Sequence, residues 1–279
     1  MRSERLDTVR TRLRDEALQR GISPRDVDLL LGDLLRKPLS YLLAHGEEIV
    51  DASPVEELLQ RRYAGEPLQY IRGRCEFYSR EFLVDARVLV PRPETELVVE
   101  AAIDHAPRGG RVLDIGTGTG CIAISIAKER ADLRVLTTDI SMDALQVAAQ
   151  NRRRLEANVQ LVCSDLASGV RGPFDLVVSN PPYVAEEELA GLTSEVRSYE
   201  PRIALTPGPR GTEAIEKILT EVASRLTPAG RLILEMGYGQ QREVARLAAD
   251  SGYAVEKELL DLAGIPRVIV LSRSVTSDE

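Results

Sequence analysis

Val112-Leu113-Asp114-Ile115-Gly116-Thr117-Gly118-Thr119-Gly120 is the stretch on which the fold of this chain turns. Its first residues form a short apolar run, the pattern of a buried strand. Three glycines at alternate positions then lead into the helical stretch Cys121–Arg130. Glycine lets the backbone turn sharply and approach a ligand closely, and a helix start offers unpaired N–H groups. Alone, such a turn is as compatible with plain structure as with binding.

The pattern around it is alternating strand and helix. Further strand candidates are Val135–Thr138, Val159–Cys163, Leu176–Val178, Leu232–Leu234, Tyr253–Val255 and Val268–Leu271, with helical stretches between the early ones. This predicts an α/β domain with a mostly parallel sheet and crossover helices on both faces. The last two strands lie too close for an intervening helix, which predicts a final antiparallel hairpin. The tail, residues 272–279, is expected to fray. N-terminal to this region, Phe77-Tyr78, Ser79-Arg80 and Phe82-Leu83-Val84 read as two short strands around a tight turn.

The first quarter differs. Leu6, Val9 and Leu13 start an apolar stripe at helical spacing, and Ser23-Pro24 reads as an N-cap with proline at the first helical position. The following stripe, Val27 to Leu35, is read as core rather than as a binding groove, because a small helical domain needs its leucines inside. Further helical segments begin at Leu39 and Ser53-Pro54, no strand-like alternation occurs, and Gly65 and Pro67 end the helical pattern. The predicted organisation is a helical domain over 1–75, a β-hairpin linker over 76–90 and the α/β domain over 91–279.

Composition narrows the function. The 279 residues suggest about two domains. Their 43% hydrophobic and 29% charged content excludes wholesale disorder. Residues 1–75 carry 13 basic and 13 acidic side chains, so the whole net charge of −8 falls on the rest. That excludes a protein that coats nucleic acid by bulk electrostatics. No apolar run of about 18 residues predicts a membrane span, and the first residues carry no apolar leader core. Cys75, Cys121 and Cys163 are odd in number and lack zinc-ligand spacing, so no metal is expected and a reduced cytoplasmic setting is the simplest reading.

Two acidic residues give the glycine loop meaning. Asp139 ends the next strand, 19 residues after Gly120, where a carboxylate can accept from both hydroxyls of a ribose. Asp165 ends the strand after that, suited to an adenine amino group, with Leu166 packing on the ring. Each alone reads as a helix N-cap; glycines, acid and acid on three successive strand ends point to an adenosine-containing ligand. The Gly-x-Gly-x-Gly spacing differs from the dinucleotide pattern. Asp114 is ill-placed beside a diphosphate but suits a cationic methionine moiety, directly or through water. S-adenosylmethionine is therefore favoured over NAD.

The fourth strand of the domain runs into Asn180-Pro181-Pro182-Tyr183. Two prolines fix two φ angles and take the chain stiffly out of the sheet. The Asn180 side-chain oxygen and the Pro181 carbonyl can accept both hydrogens of a planar NH2 group, and Tyr183 can pack against a flat substrate. An amide or exocyclic amine is a poor nucleophile because its lone pair is delocalised. Two acceptors orient it and stabilise the positive charge that develops on nitrogen. His45 and His105 lie beside no motif, so histidine catalysis is not expected.

With these elements the chain resembles the bacterial protein-(glutamine-N5) methyltransferases that act on peptide chain release factors, the HemK or PrmC family. The resemblance covers nearly the whole chain. It is carried by Pro67-Leu68-Gln69-Tyr70-Ile71-Arg72-Gly73, Val90-Pro91-Arg92-Pro93-Glu94-Thr95-Glu96, Asp114–Gly120, Asn180–Tyr183, Tyr199-Glu200-Pro201 with Ala204-Leu205, and Glu235-Met236-Gly237. It implies a seven-stranded, Rossmann-like S-adenosylmethionine-dependent methyltransferase domain and a helical domain that helps to dock the release factor. It implies that Gly116, Thr117, Gly118, Thr119, Gly120 and Asp139 hold the cofactor, with Asp165 and Leu166 near adenine and Asn180 beside both ligands. Asn180, Pro181, Pro182 and Tyr183 would hold the glutamine of the partner's Gly-Gly-Gln loop. Two departures stand out. Leu166 occupies a position that is often aromatic in the family, and Thr206-Pro207-Gly208-Pro209-Arg210-Gly211 is less glycine-rich and less acidic than its counterparts.

Two points stay open in the sequence. Arg92 and Glu94 either order the pocket wall or form an ion pair at the start of the helix near Thr95. The same Asn-Pro-Pro-Tyr pocket would also serve an amino-methyltransferase of DNA adenine or ribosomal RNA guanine. The negative catalytic part, 4% aromatic content and lack of tryptophan disfavour direct nucleic-acid binding. A degenerate cofactor-binding module is disfavoured by the intact Asn-Pro-Pro-Tyr turn.

Overall fold

The structure, a computed structural model, describes residues 3–274. They form two compact units: residues 3–74 with Thr193–Tyr199, and Cys75–Leu192 with residues 200–274.

The first unit is built on helices Leu6–Gln19, Pro24–Leu35, Leu39–Ala44, Ser53–Tyr63 and Leu68–Arg72. Ser23 caps the second, its hydroxyl accepting from the Arg25 N–H at 3.3 Å. Val27, Leu30 and Leu31 are buried with Leu6, Val9 and Leu13, so that side of the stripe is core, whereas Leu34 is exposed. Two expectations are corrected. Ser3–Arg5 and Ile49–Asp51 form a small antiparallel ladder, each strand too short to show alternation. The helical pattern also continues past Pro67, because a proline opening a helix costs no hydrogen bond.

Segment 193–199 belongs to this unit, which no local pattern announced. Arg62 bonds Asp26 at 2.8 Å and Glu195 at 2.5 Å, and the Tyr199 hydroxyl donates to the Ala64 carbonyl at 3.2 Å.

The second unit holds a seven-stranded sheet. We number its strands β1 (Arg111–Ile115), β2 (Arg134–Asp139), β3 (Val159–Cys163), β4 (Phe174–Ser179), β5 (Leu226–Glu235), β6 (Tyr253–Leu260) and β7 (Pro266–Arg273). Their order across the sheet is β6-β7-β5-β4-β1-β2-β3. β1 to β5 pair in parallel, whereas β7 is antiparallel to both neighbours and forms the final hairpin with β6. Successive residues feed opposite faces: Val112, Leu176 and Val178 join one apolar cluster, Leu113 and Val177 the other. Both faces are thus covered, as a central parallel sheet requires.

β5 is ten residues long, and its Pro228-Ala229-Gly230 segment hid the first half from a strand reading. Ser272 and Arg273, expected to fray, pair with Ala254 and Tyr253; residues 275–279 of the expected tail lie outside the described residues. The predicted hairpin is present as Arg74–Phe77 and Arg80–Leu83. Tyr78 and Ser79 both take left-handed φ (48° and 56°), the two-residue turn that suits twisted strands. The boundary between the compact units falls inside its first strand, so most of the hairpin belongs with the sheet rather than standing as a separate linker.

Candidate active site

The carboxyl ends of β1, β2, β3 and β4 meet at one cavity of about 320 Å3 in the second unit. Such a position, beyond the strand ends of an open α/β sheet, is the usual place for a ligand.

The glycine loop forms its floor. Gly116 and Thr117 donate their N–H groups to the Thr138 carbonyl at 2.9 and 3.0 Å, which locks the loop against β2. Gly118 has φ +51°, and a Cβ there would meet nothing within 4 Å, because the residue faces open space. Gly120 acts differently. At φ +83° a Cβ would come within 2.9 Å of Ile124 Cδ1, so this glycine lets the helix Cys121–Glu129 seat, and it does not line the cavity. Thr117 and Thr119 line the cavity although almost wholly buried.

Asp139 lies at the end of β2. Its Oδ2 accepts from the Gly118 N–H and its Oδ1 from the Ser141 N–H, both at 2.9 Å. Burial pushes its pKa up, opposed by these backbone donors. Each oxygen keeps a second lone pair, so the carboxylate can bind loop and ligand hydroxyls together. Asp165 and Leu166 follow β3 and line the same cavity, Leu166 in the left-handed region at φ +47°.

Asn180 and Pro182 line the cavity from the β4 side. The Ser179 hydroxyl donates to the Ile115 carbonyl at 2.7 Å, tying the double-proline corner to the glycine loop. A Cβ on Gly116 would lie 3.9 Å from the Asn180 carbonyl oxygen. The corner therefore faces the glycine edge. Pro181 is buried between these two lining residues. Tyr183 is not where the sequence reading put it. Its hydroxyl is turned to Glu235 Oε1 at 3.4 Å and its ring lies against Gly237, so it does not line the cavity.

Three residues at or behind the site, Thr95, Asn151 and Glu200, were given no role by sequence reading. Thr95, 2% exposed, lines the cavity and its hydroxyl accepts from Asn180 Nδ2 at 3.1 Å. With the amide nitrogen engaged there, the Asn180 oxygen is the atom left for a ligand. Asn151, fully buried, donates to the Thr119 carbonyl at 2.9 Å and the Leu83 carbonyl at 3.0 Å, and accepts from the Leu83 N–H at 2.7 Å. It pins the glycine loop to the hairpin. Arg92, expected either to order the pocket wall or to pair with Glu94 at the helix start, pairs with Glu200. Glu200 precedes Pro201, Ile203 and Ala204, which form another wall.

Asp114 departs from expectation. It is fully buried and does not line the cavity, so it has no direct face to a ligand. Thr137 donates to its Oδ2 at 2.8 Å while Oδ1 has no hydrogen-bond partner among the described residues, and burial pushes its pKa up to about 7. Of the less glycine-rich loop, Thr206 and Pro207 line the cavity while Arg210 turns away to Glu216.

Comparison with known proteins decides the family. Residues 6–73 match the model described as "PrmC N-terminal domain", and residues 93–196 match "Methyltransferase small domain". A release factor glutamine methyltransferase of Koribacter versatilis is 43% identical over 256 residues, 89% of this chain and 91% of that protein. The chain belongs to the release factor glutamine methyltransferase family. A second member, from Bradyrhizobium diazoefficiens, is 38% identical over 274 residues, 94% of this chain and 91% of its own length. Among solved structures, a methyltransferase from Pyrococcus furiosus matches with TM-score 0.54 and 19% identity over 80% of this chain and all of that one, a likeness of fold alone. Among the described residues, no helix is long and apolar enough to cross a membrane.

Proposed function

We propose that this enzyme transfers a methyl group from S-adenosylmethionine to the side-chain amide nitrogen, N5, of the glutamine in the Gly-Gly-Gln loop of class I release factors in the cytoplasm. The observation that carries this is the shared cavity: Asn180 and Pro182 line it together with Gly116, Gly118 and Asp139. A corner suited to a flat NH2 group faces a loop suited to an adenosine-containing ligand.

The residues present fit the cofactor. Gly118 opens onto free space, Asp139 keeps lone pairs for ribose hydroxyls, and Asp165 and Leu166 stand at the adenine side. S-adenosylmethionine, when bound, supplies an electrophilic sulfonium methyl. The chain supplies orientation. Asn180 Oδ1 accepts one amide hydrogen and the Pro181 carbonyl the other, which loosens amide conjugation and stabilises positive charge developing on nitrogen. The stiff double proline keeps these acceptors from relaxing away. Pro182 walls the flat group. Tyr183 acts from behind this corner, through Glu235, rather than by covering the substrate. The helical unit is assigned to docking the release factor.

The test is incubation with methyl-labelled cofactor and purified release factors, or total RNA and DNA in parallel. Label is expected in the release factor alone. Label in nucleic acid alone would select the amino-methyltransferase reading instead.

A further inference from the structure

A second cavity, of about 260 Å3, lies at the amino ends of the strands whose carboxyl ends hold the first. Arg111 opens β1, Arg134 opens β2 and Phe174 opens β4, while Asn158 stands one residue before β3 and Gln160 is its second residue. All five line this cavity. Its volume suits a small polar molecule, falling just below the range of about 300–1,000 Å3 for drug-sized ligands.

Strand register sets the polar groups side by side. Arg111 is the direct partner of Arg134 on the neighbouring strand, and Leu136 is that of Gln160. Arg134 and Leu136, two residues apart on one strand, share a face, so Arg111, Arg134 and Gln160 project from the same side of the sheet. Like charges on strands about 5 Å apart repel when they stand opposite each other. No carboxylate lines the cavity to balance these two.

The Arg111 guanidinium lies over the Phe174 ring at 4.9 Å and donates to the Pro173 carbonyl at 2.7 Å and the Arg171 carbonyl at 3.4 Å. These partners are neutral: they fix its direction without cancelling its charge. One carboxylate is close by, that of Asp175. It accepts from the Arg111 main-chain N–H at 2.9 Å and the Thr227 hydroxyl at 3.4 Å, outside the cavity lining. The side chains of Arg134, Asn158 and Gln160 are exposed and make no hydrogen bond or ion pair among the described residues.

We propose that this cavity binds a phosphate monoester carried on a small sugar, at a site separate from methyl transfer. Such a group carries about −1.5 to −2 charge at pH 7, which matches two guanidinium groups where a carboxylate matches one. The planar fork of arginine gives pairs of parallel hydrogen bonds to phosphate oxygens. Asn158 and Gln160 each bring an amide that both donates and accepts, as sugar hydroxyls do. The chain as a whole carries −8, so attraction for an anion at this edge comes from the local pair. A nucleic-acid strand fits less well, because each of its phosphodiesters bears a single charge.

Titration calorimetry of the full chain with ribose 5-phosphate tests the site. One molecule should bind per chain, with the same affinity whether or not S-adenosylmethionine is saturating. Arg134→Gln should weaken this binding about 10–100-fold, the cost of removing charge-assisted hydrogen bonds. The Arg134 side chain supports no other group, so the variant should keep wild-type unfolding and wild-type affinity for S-adenosylmethionine. Gln160→Ala should weaken ribose 5-phosphate binding and leave that of inorganic phosphate unchanged.

Binding that is absent at millimolar ligand, survives Arg134→Gln undiminished or competes with S-adenosylmethionine would overturn the proposal. Inorganic phosphate held as tightly as ribose 5-phosphate would overturn the role of the sugar. An RNA oligonucleotide without a terminal phosphate that binds more tightly than ribose 5-phosphate would overturn the choice of a monoester.

Discussion

Arg92 and Glu200, 108 residues apart in sequence, meet in an ion pair in which one guanidinium nitrogen lies 2.7 Å from both carboxylate oxygens. The pair joins two walls of the cavity, the segment from Pro91 to Thr95 and the segment beginning at Pro201. The Glu200 side chain is 2% exposed and that of Arg92 30%. Arg92→Ala removes a guanidinium partner from the buried Glu200 carboxylate. We expect a loss of about 2–3 kcal/mol in denaturant unfolding, below the fully buried range because Arg92 is partly solvated. Arg92→Ala should also weaken substrate and cofactor binding, because the two walls part. Unaltered stability would mean that the pair is solvated and does not hold them.

Asn180→Ala should cut single-turnover methyl transfer about 10²–10³-fold, the scale for deleting one preorganised hydrogen-bonding group at a reacting centre. Calorimetry should find cofactor affinity nearly unchanged. Undiminished turnover would remove the role given to the Asn180 oxygen.

Asp139→Ala should raise the cofactor dissociation constant about 10–100-fold, the worth of hydrogen bonds to a charged group. Part of the loss comes from the loop itself, because Asp139 also holds the Gly118 N–H. An unchanged affinity in titration calorimetry would contradict the ribose assignment.

Asp114 and Glu235 shape the pH dependence of the ligand-free protein. Their folded-state pKa values rise to about 7 from ordinary values of 3.8 and 4.5. Between these limits the folded state keeps protons that the unfolded chain has released, so stability falls as pH rises toward 7 and levels off above it. Ion-paired carboxylates such as Asp7 and Asp132 are shifted the other way and titrate below this window. Unfolding free energies measured from pH 4 to 8 should decline (a window set by those shifts), and Asp114→Asn should flatten the decline. A wild-type profile that rises across this window would contradict the assignment.

The sheet and the main cavity residues were legible because their signals are local. An apolar run, a glycine cluster or a proline pair imposes its conformation on the few residues around it. Gly118, Asp139 and Asn180 could thus be placed on strand ends before any partner was known. Thr95, Asn151, Glu200 and Glu235 were not legible, or only as letters in a matching motif. Their roles depend on which distant group they meet: Asn151 bonds Leu83, 68 residues away, and Asn180 bonds Thr95, 85 residues away. Tyr183 shows the same limit. The tetrapeptide located the residue, but the buried carboxylate of Glu235 decided which way its ring turned.

The central claim is that the double-proline corner aims a glutamine amide at the methyl donor. Tandem mass spectrometry of a release factor incubated with S-adenosylmethionine, with wild-type enzyme and with Asn180→Ala, tests it most directly. The account predicts a single methyl on the side-chain nitrogen of the Gly-Gly-Gln glutamine with the wild type and almost none with the variant. A methyl elsewhere in the release factor, or equal modification by the variant, would contradict it.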